Sequence, residues 1–160
     1  MAATPITPAK RFIRPGVTKC YWVVSISNIL APTRTELNLG KDLSEDIADI
    51  SGWLVSGQKV DTPNLKTTFV GNIPGLTSAD ESSITYYAGE DGVDVRALMA
   101  RGTAGNIVWL DGGDVTGRLM DVFPVKVLSV GKQRQIGAEP ARLPIQYAIT
   151  AEPAENVVIP

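Results

Sequence analysis

Hydrophobic and polar positions alternate along much of the chain with a period of two, the period of a β-strand. From Lys19 to Ile26, Cys20, Trp22, Val24 and Ile26 point one way, and Tyr21, Val23 and Ser25 the other. Both sets are largely apolar, which predicts a strand buried on both faces. After Pro32, Thr35, Leu37 and Leu39 alternate with Arg34, Glu36 and Asn38, a strand with one wet face that Gly40 ends. Asp42 to Asp49 is acidic, and the spacing of Leu43, Ile47 and Ile50 fits either a helical turn or an interrupted strand. Gly52 to Val60 reads as a strand through Trp53 and Val55, with Gly57 as a candidate bulge. The stretch from Asp61 to Asp80 is the least regular. It holds a short Thr67–Val70 strand inside a long excursion punctuated by Pro63, Gly71, Pro74 and Gly75. Ser82 to Ala88 returns as a strand.

Only Gly92 to Arg101 carries a helical signal. Val95, Leu98 and Met99 form a stripe at i, i+3 and i+4, Asp91 suits an N-cap, and Gly102 suits a stop. Asn106 to Leu110, the turn Asp111-Gly112-Gly113-Asp114 and Arg118 to Val130 predict a hairpin, with Pro124 marking a bulge or an edge. Gly131 to Pro140 is a polar loop. Leu143, Ile145, Tyr147 and Ile149 then alternate with Arg142, Gln146 and Thr150 in the cleanest half-buried strand of the chain. Seven or eight strands and one short flanking helix (about 92–101) predict a mainly β chain folded as a sandwich or barrel. The expected organisation is an extended arm over 1–16, one β-rich domain over 17–152 and a tail over 153–160.

Composition strengthens the β reading. Val, Ile and Thr number 16, 13 and 13, against 12 Leu. The chain of 160 residues has no histidine and one cysteine, Cys20. Those counts exclude an internal disulfide, a Cys/His zinc site, and any triad or dyad that needs an imidazole. A formal charge of -2 is not the basic balance of a protein that grips nucleic acid by its phosphates. No apolar run reaches membrane-span length, and the N-terminus lacks a signal-peptide core. A soluble chain made in a reducing cytoplasm, with no membrane partner, is expected.

The candidate chemistry is thin. Asp111 and Asp114 are the best metal candidates, but two carboxylates without a third oxygen donor nearby match a turn better than a calcium loop. Asp42, Glu45, Asp46 and Asp49 could pair for acid–base work, though a solvated face is the plainer reading. Cys20 sits in an apolar strand and reads as core. The tryptophans Trp22, Trp53 and Trp109 all fall in predicted strands and read as core anchors. No GxGxxG or Walker A pattern occurs. Nothing here demands an enzyme, a metal or a cofactor.

Several stretches go further when read together. These are Asp42-Leu-Ser-Glu-Asp-Ile-Ala-Asp-Ile-Ser-Gly-Trp53, Ile73-Pro-Gly-Leu-Thr-Ser-Ala-Asp-Glu-Ser-Ser83 and Gly92-Val-Asp-Val-Arg-Ala-Leu-Met-Ala-Arg-Gly-Thr103. Asp111-Gly-Gly-Asp114, Asp121-Val-Phe-Pro-Val-Lys-Val127 and Tyr147-Ala-Ile-Thr-Ala-Glu-Pro-Ala-Glu-Asn156 complete the set. In this order and spacing, over roughly residues 19–156, the chain resembles the major tail (tail tube) proteins of long, non-contractile-tailed bacteriophages. The resemblance implies a β-sandwich with a flanking helix, assembled into hexameric rings that stack into a virion tail tube. It implies further copies of the chain, the tape-measure protein, and tail-terminator and tail-tip proteins as partners, with DNA passing through unbound. It carries over no catalytic residue.

Under that resemblance the excursion over 57–80 is expected to reach the next ring. Asp61, Thr62, Pro63, Asn64, Leu65, Lys66 and Phe69 are then the stacking contacts, with the two chain ends as further candidates. Ser56 and Gln58 are the expected lumen-facing positions. Two other classes compete. A monomeric β-sandwich adhesion or decoration module would explain the strands and acidity, but not a long connection that is no hairpin. A small-molecule β-barrel would need an enclosed pocket with convergent polar groups.

Overall fold

The computed structural model describes residues 3–160. Its strands are β1 (Lys19–Val23), β2 (Lys41–Asp42), β3 (Ile47–Ser51), β4 (Val55–Thr62), β5 (Gly71–Ala79), β6 (Ser82–Tyr87), β7 (Ala104–Leu110), β8 (Leu119–Val130), β9 (Arg142–Ile149) and β10 (Ala154–Val158). One α-helix, α1 (Arg34–Asn38), and a 3-10 turn over Val95–Ala97 complete the regular structure. Every pairing is antiparallel. The main sheet runs β2-β1-β7-β8-β9-β6-β3, with β10 added beside β8. Strands from both ends of that order share one core, so the sheet folds over itself as a β-sandwich.

Two apolar clusters lie on opposite faces of the central strands. The inner one joins Cys20 and Trp22 of β1, Ile84 and Tyr86 of β6, Ile107 and Trp109 of β7, and Leu143, Ile145 and Tyr147 of β9. The second gathers Val23, Leu37, Val108, Leu110, Met120, Val122, Val157 and Ile159 beneath α1 and β10. Successive residues of β7 therefore go to different cores, which is why that strand reads as an unbroken apolar run. Gly105 permits the closest approach in the inner core: a Cβ there would fall 2.5 Å from the ring of Trp22.

β8 spans both layers. Its first residues pair with β10 up to Val122, and its later ones pair with β9 from Val125. Pro124 falls at that handover. Its carbonyl accepts from the Thr150 N–H at 2.9 Å on the β9 side, so its nitrogen faces the same side, where neither neighbour needs a donor.

The sequence expectations fail at five places. Thr35, Leu37 and Leu39 do not form a strand. Thr33 and Glu36 close a capping box around α1, and only Leu37 of the helix is buried. The expected helix over 92–101 contracts to the 3-10 turn Val95–Ala97, capped by Asp94 rather than Asp91. Val95 and Met99 are nonetheless buried, so the apolar stripe is real although the helix is not. Trp53 lies outside any strand at a φ of 65°. Thr67–Val70 forms no strand. The segment expected as a tail, 153–160, holds β10 and places Ile159 in the second core. Residues 3–13 carry no helix or strand and are exposed.

Candidate assembly surface

The excursion expected to be irregular is a long hairpin. β4 and β5 pair from Val55↔Ala79 to Thr62↔Gly71 and form a separate two-stranded sheet. The register shifts beside Gly57, where Gln58 of β4 faces two residues of β5, Gly75 and Leu76. The candidate bulge is thus at the expected level, with its extra residue on the partner strand. At eight residues the hairpin reaches roughly 25 Å from its base.

The base is held firmly. Gly52 and Trp53 both adopt left-handed backbone, φ 82° and 65°, and turn the chain out of β3 into β4. A Cβ on Gly52 would fall 2.3 Å from the Glu81 carbonyl oxygen, so only glycine fits. The Trp53 N–H donates to Ser82 Oγ at 3.0 Å and its indole N–H to the Ser83 carbonyl at 3.3 Å. The Ser82 hydroxyl donates to the Asp80 carbonyl at 3.0 Å, and the Asp80 N–H to the Leu54 carbonyl at 3.0 Å. The Trp53 ring stands edge-on to Trp109 and Phe123, at centroid distances of 5.6 and 5.3 Å, and tilted against Tyr147 at 5.5 Å. Such pairs add about 0.5–1.5 kcal/mol each beyond area burial.

Beyond its base the hairpin is bare. Ser56 to Thr62 are all exposed, and because side chains alternate, both faces meet solvent. Large apolar side chains stand exposed along the hairpin and at its root: Leu54, Val60, Leu65, Phe69, Val70, Ile73 and Leu76, the last at 82%. Asp61 and Thr62 end β4, Pro63 to Lys66 form the turn, and Phe69 precedes β5, so the seven expected stacking residues share the far tip. The tip is organised by its own side chains: Asn64 Oδ1 accepts from the Lys66 N–H and Thr67 Oγ1 from the Phe69 N–H. Ser56 and Gln58 lie on the shaft of β4, two residues apart and exposed.

Other candidates are occupied by structural work. Asp111 pairs with Arg14, and Asp114 binds Arg34 at 2.7 Å and the Tyr21 hydroxyl at 3.0 Å. The Cys20 thiol is pushed up by burial and by the charge of Asp42. Asp42 itself accepts from the Ser44 N–H and Lys19. Among the described residues no group of three or more Cys, Asp or Glu could hold a metal ion.

Sequence reasoning missed Leu54, Ile73 and Leu76, which make the exposed surface apolar. Pro74 and Gly75 disguise β5, although Ile73 and the Thr77-Ser78-Ala79 run flank them with strand-compatible residues.

The fold thus defines a mainly β, antiparallel sandwich that carries an uncovered apolar hairpin. The family described as phage tail tube protein matches residues 4–160. The chain belongs to that family and is a structural component of the phage tail. No curated protein matches it.

Proposed function

We propose that the chain assembles into hexameric rings that stack into the tail tube of a long, non-contractile phage tail. The tube conducts the tape-measure protein and then genomic DNA during infection. One observation carries the proposal. β4 and β5 pair only with each other among the described strands, yet they leave Val60, Ile73 and Leu76 exposed to solvent. A lone two-stranded hairpin is marginal in water, and open strand edges invite pairing. A ring in which each hairpin pairs with its neighbours' removes both liabilities and closes a wide barrel around an aqueous channel. A subunit charge of -2 suits a lumen through which DNA slips without being gripped. The tip, Asp61 to Lys66 with Phe69, lies at the end of the hairpin away from its base and is the proposed contact with the next ring. Ser56 and Gln58 are the proposed lumen positions.

Negative-stain imaging of the purified chain, alone and with tail-tip proteins, tests this. Rings and tubes are expected. Particles that stay monomeric in both conditions overturn it in favour of a monomeric adhesion or decoration module. Deleting residues 61–66 tests stacking separately: full-length tubes from that variant would remove the tip from the contact.

A further inference from the structure

A second surface awaits a partner. Two cavities of about 490 and 460 Å³ open between β3 and the β1–β7 layer, and Arg14, Ile50 and Trp109 line both. They are two halves of one cleft along the outer edge of β3. That strand ends the sheet order, so its far edge has no strand beside it. Trp109 is only 8% exposed, and its indole N–H, buried in the wall, finds no acceptor. A buried donor without a partner is rare in a finished structure. The cleft holds Asp49 in one half, with Lys19, itself paired with Asp42, on the same wall, and Asp121 and Glu155 beside the already paired Asp111 in the other, so its acidic side is the second half.

The chain carries a segment of the matching chemistry. Residues 3–13 are exposed, with Phe12 at 52% and Ile13 at 76%, and form no helix or strand. Lys10 and Arg11 give this arm positive charge, and it has no carboxylate, on a chain whose net charge is -2. Proline occurs at 5, 8 and 15, but Ala9 to Ile13 has none, so whichever alternate residues of that stretch face a strand edge keep the N–H it needs.

We infer that the cleft receives residues 9–13 of a second copy of the chain, added in extended form beside β3. Phe12 and Ile13 supply the apolar contact, and Lys10 and Arg11 meet the carboxylates. A copy's own arm is badly placed for this. Arg14 is pinned at the mouth by Asp111, and Pro15 and Gly16 already form part of the wall. The residues before Arg14 would have to double back into the cleft they leave. Each copy offers one arm and one cleft, a head-to-tail contact that a closed ring satisfies throughout. The inference rests on the ring reading and names one contact within it.

The test uses full-length chains. One population carries Phe12→Cys or, to cover the neighbouring register, Ile13→Cys. The other carries Ile50→Cys, at a position shared by both halves of the cleft. The native Cys20 is buried and stays silent. On mixing and mild oxidation, a covalent pair joining the two populations is expected on a non-reducing gel. Adding Lys10→Glu and Arg11→Glu to the arm donor should cut its yield about tenfold, through like-charge contact at the rim. A disulfide formed only when both cysteines sit on one chain would overturn the inference, because the arm then folds back. Tubes visible by imaging with no cross-link would also overturn it and leave the ring reading standing. A cross-linked pair that never gives rings would support the docking and sink the ring reading.

Discussion

Replacing Leu76 by Ser separates the stability of the subunit from the stability of its assembly. Leu76 is 82% exposed in the lone chain, so its removal takes almost no packing with it. Surface changes of this kind fall within about 0.5 kcal/mol, and the urea midpoint of the isolated subunit should not move measurably. Complete burial of a leucine is worth about 1.5–3 kcal/mol. Four-fifths of that remains available to a neighbouring copy, so covering Leu76 in the proposed ring would contribute about 2 kcal/mol. Losing it should raise the concentration needed for assembly about thirtyfold. Sedimentation of tubes across a dilution series reads that threshold directly, and urea unfolding below the threshold reads the subunit. Ile73→Ser is the internal comparison. Ile73 is 53% exposed and faces Val60 across the hairpin, so it should cost something in both assays. A Leu76→Ser subunit that unfolds more than about 1 kcal/mol more easily would show that the side chain was packed within its own chain. An unchanged assembly threshold would show that no copy covers it. Either result refutes the reasoning.

Two further outcomes follow from the local geometry. Gly52→Ala should destabilise the chain by more than about 2 kcal/mol in urea unfolding, because left-handed backbone and a collision with the Glu81 carbonyl add together. The carboxyl of Glu36 is held down to about 2 by hydrogen bonds from Ser27 and Thr33, and that of Asp94 to about 2 by Arg96 and by backbone N–H groups. Both lie below the unfolded values near 4, so their stabilisation is complete above about pH 5 and is lost as the pH falls towards 2. The thermal midpoint should be level from pH 6 to 5 and then drop, with Asp94→Asn flattening part of the slope. A midpoint that rises on acidification would contradict this.

The strands whose pattern comes from one core were readable in the sequence. β9 alternates because Leu143, Ile145 and Tyr147 enter the inner core while Gln146 stays wet. β7 and β8 were readable because their flanking turn is explicit at Asp111 to Asp114. The failures have a common cause: short polar contacts outweigh periodicity. Thr35, Leu37 and Leu39 alternate, but three hydrogen bonds between Thr33 and Glu36 commit that stretch to a helix. The Thr33-x-x-Glu36 spacing was the available signal. At Gly92 to Arg101, Asp94 captures Gly89, Arg96 and the start of the turn, leaving room for only three residues of 3-10 helix. The hairpin was hidden for a different reason. Its apolar residues answer to no core within the chain, so neither period marks them, and Pro74 and Gly75 read as a loop although they lie within β5. A surface whose partner is another molecule leaves no intramolecular pattern to read. The cleft was equally silent, because Arg14, Ile50, Trp109 and Glu155 meet only after the sheet has folded over.

The left-handed step at Gly52 and Trp53 has a mechanical meaning. The hairpin is a lever roughly 25 Å long, and its fulcrum is an indole wedged among three other aromatic rings. Trp53 also forms part of the wall of the cleft beside β3, so one side chain belongs at once to the root of the hairpin and to that cleft. The two candidate contact surfaces of the chain are therefore joined through a single residue rather than separated by the width of the sandwich.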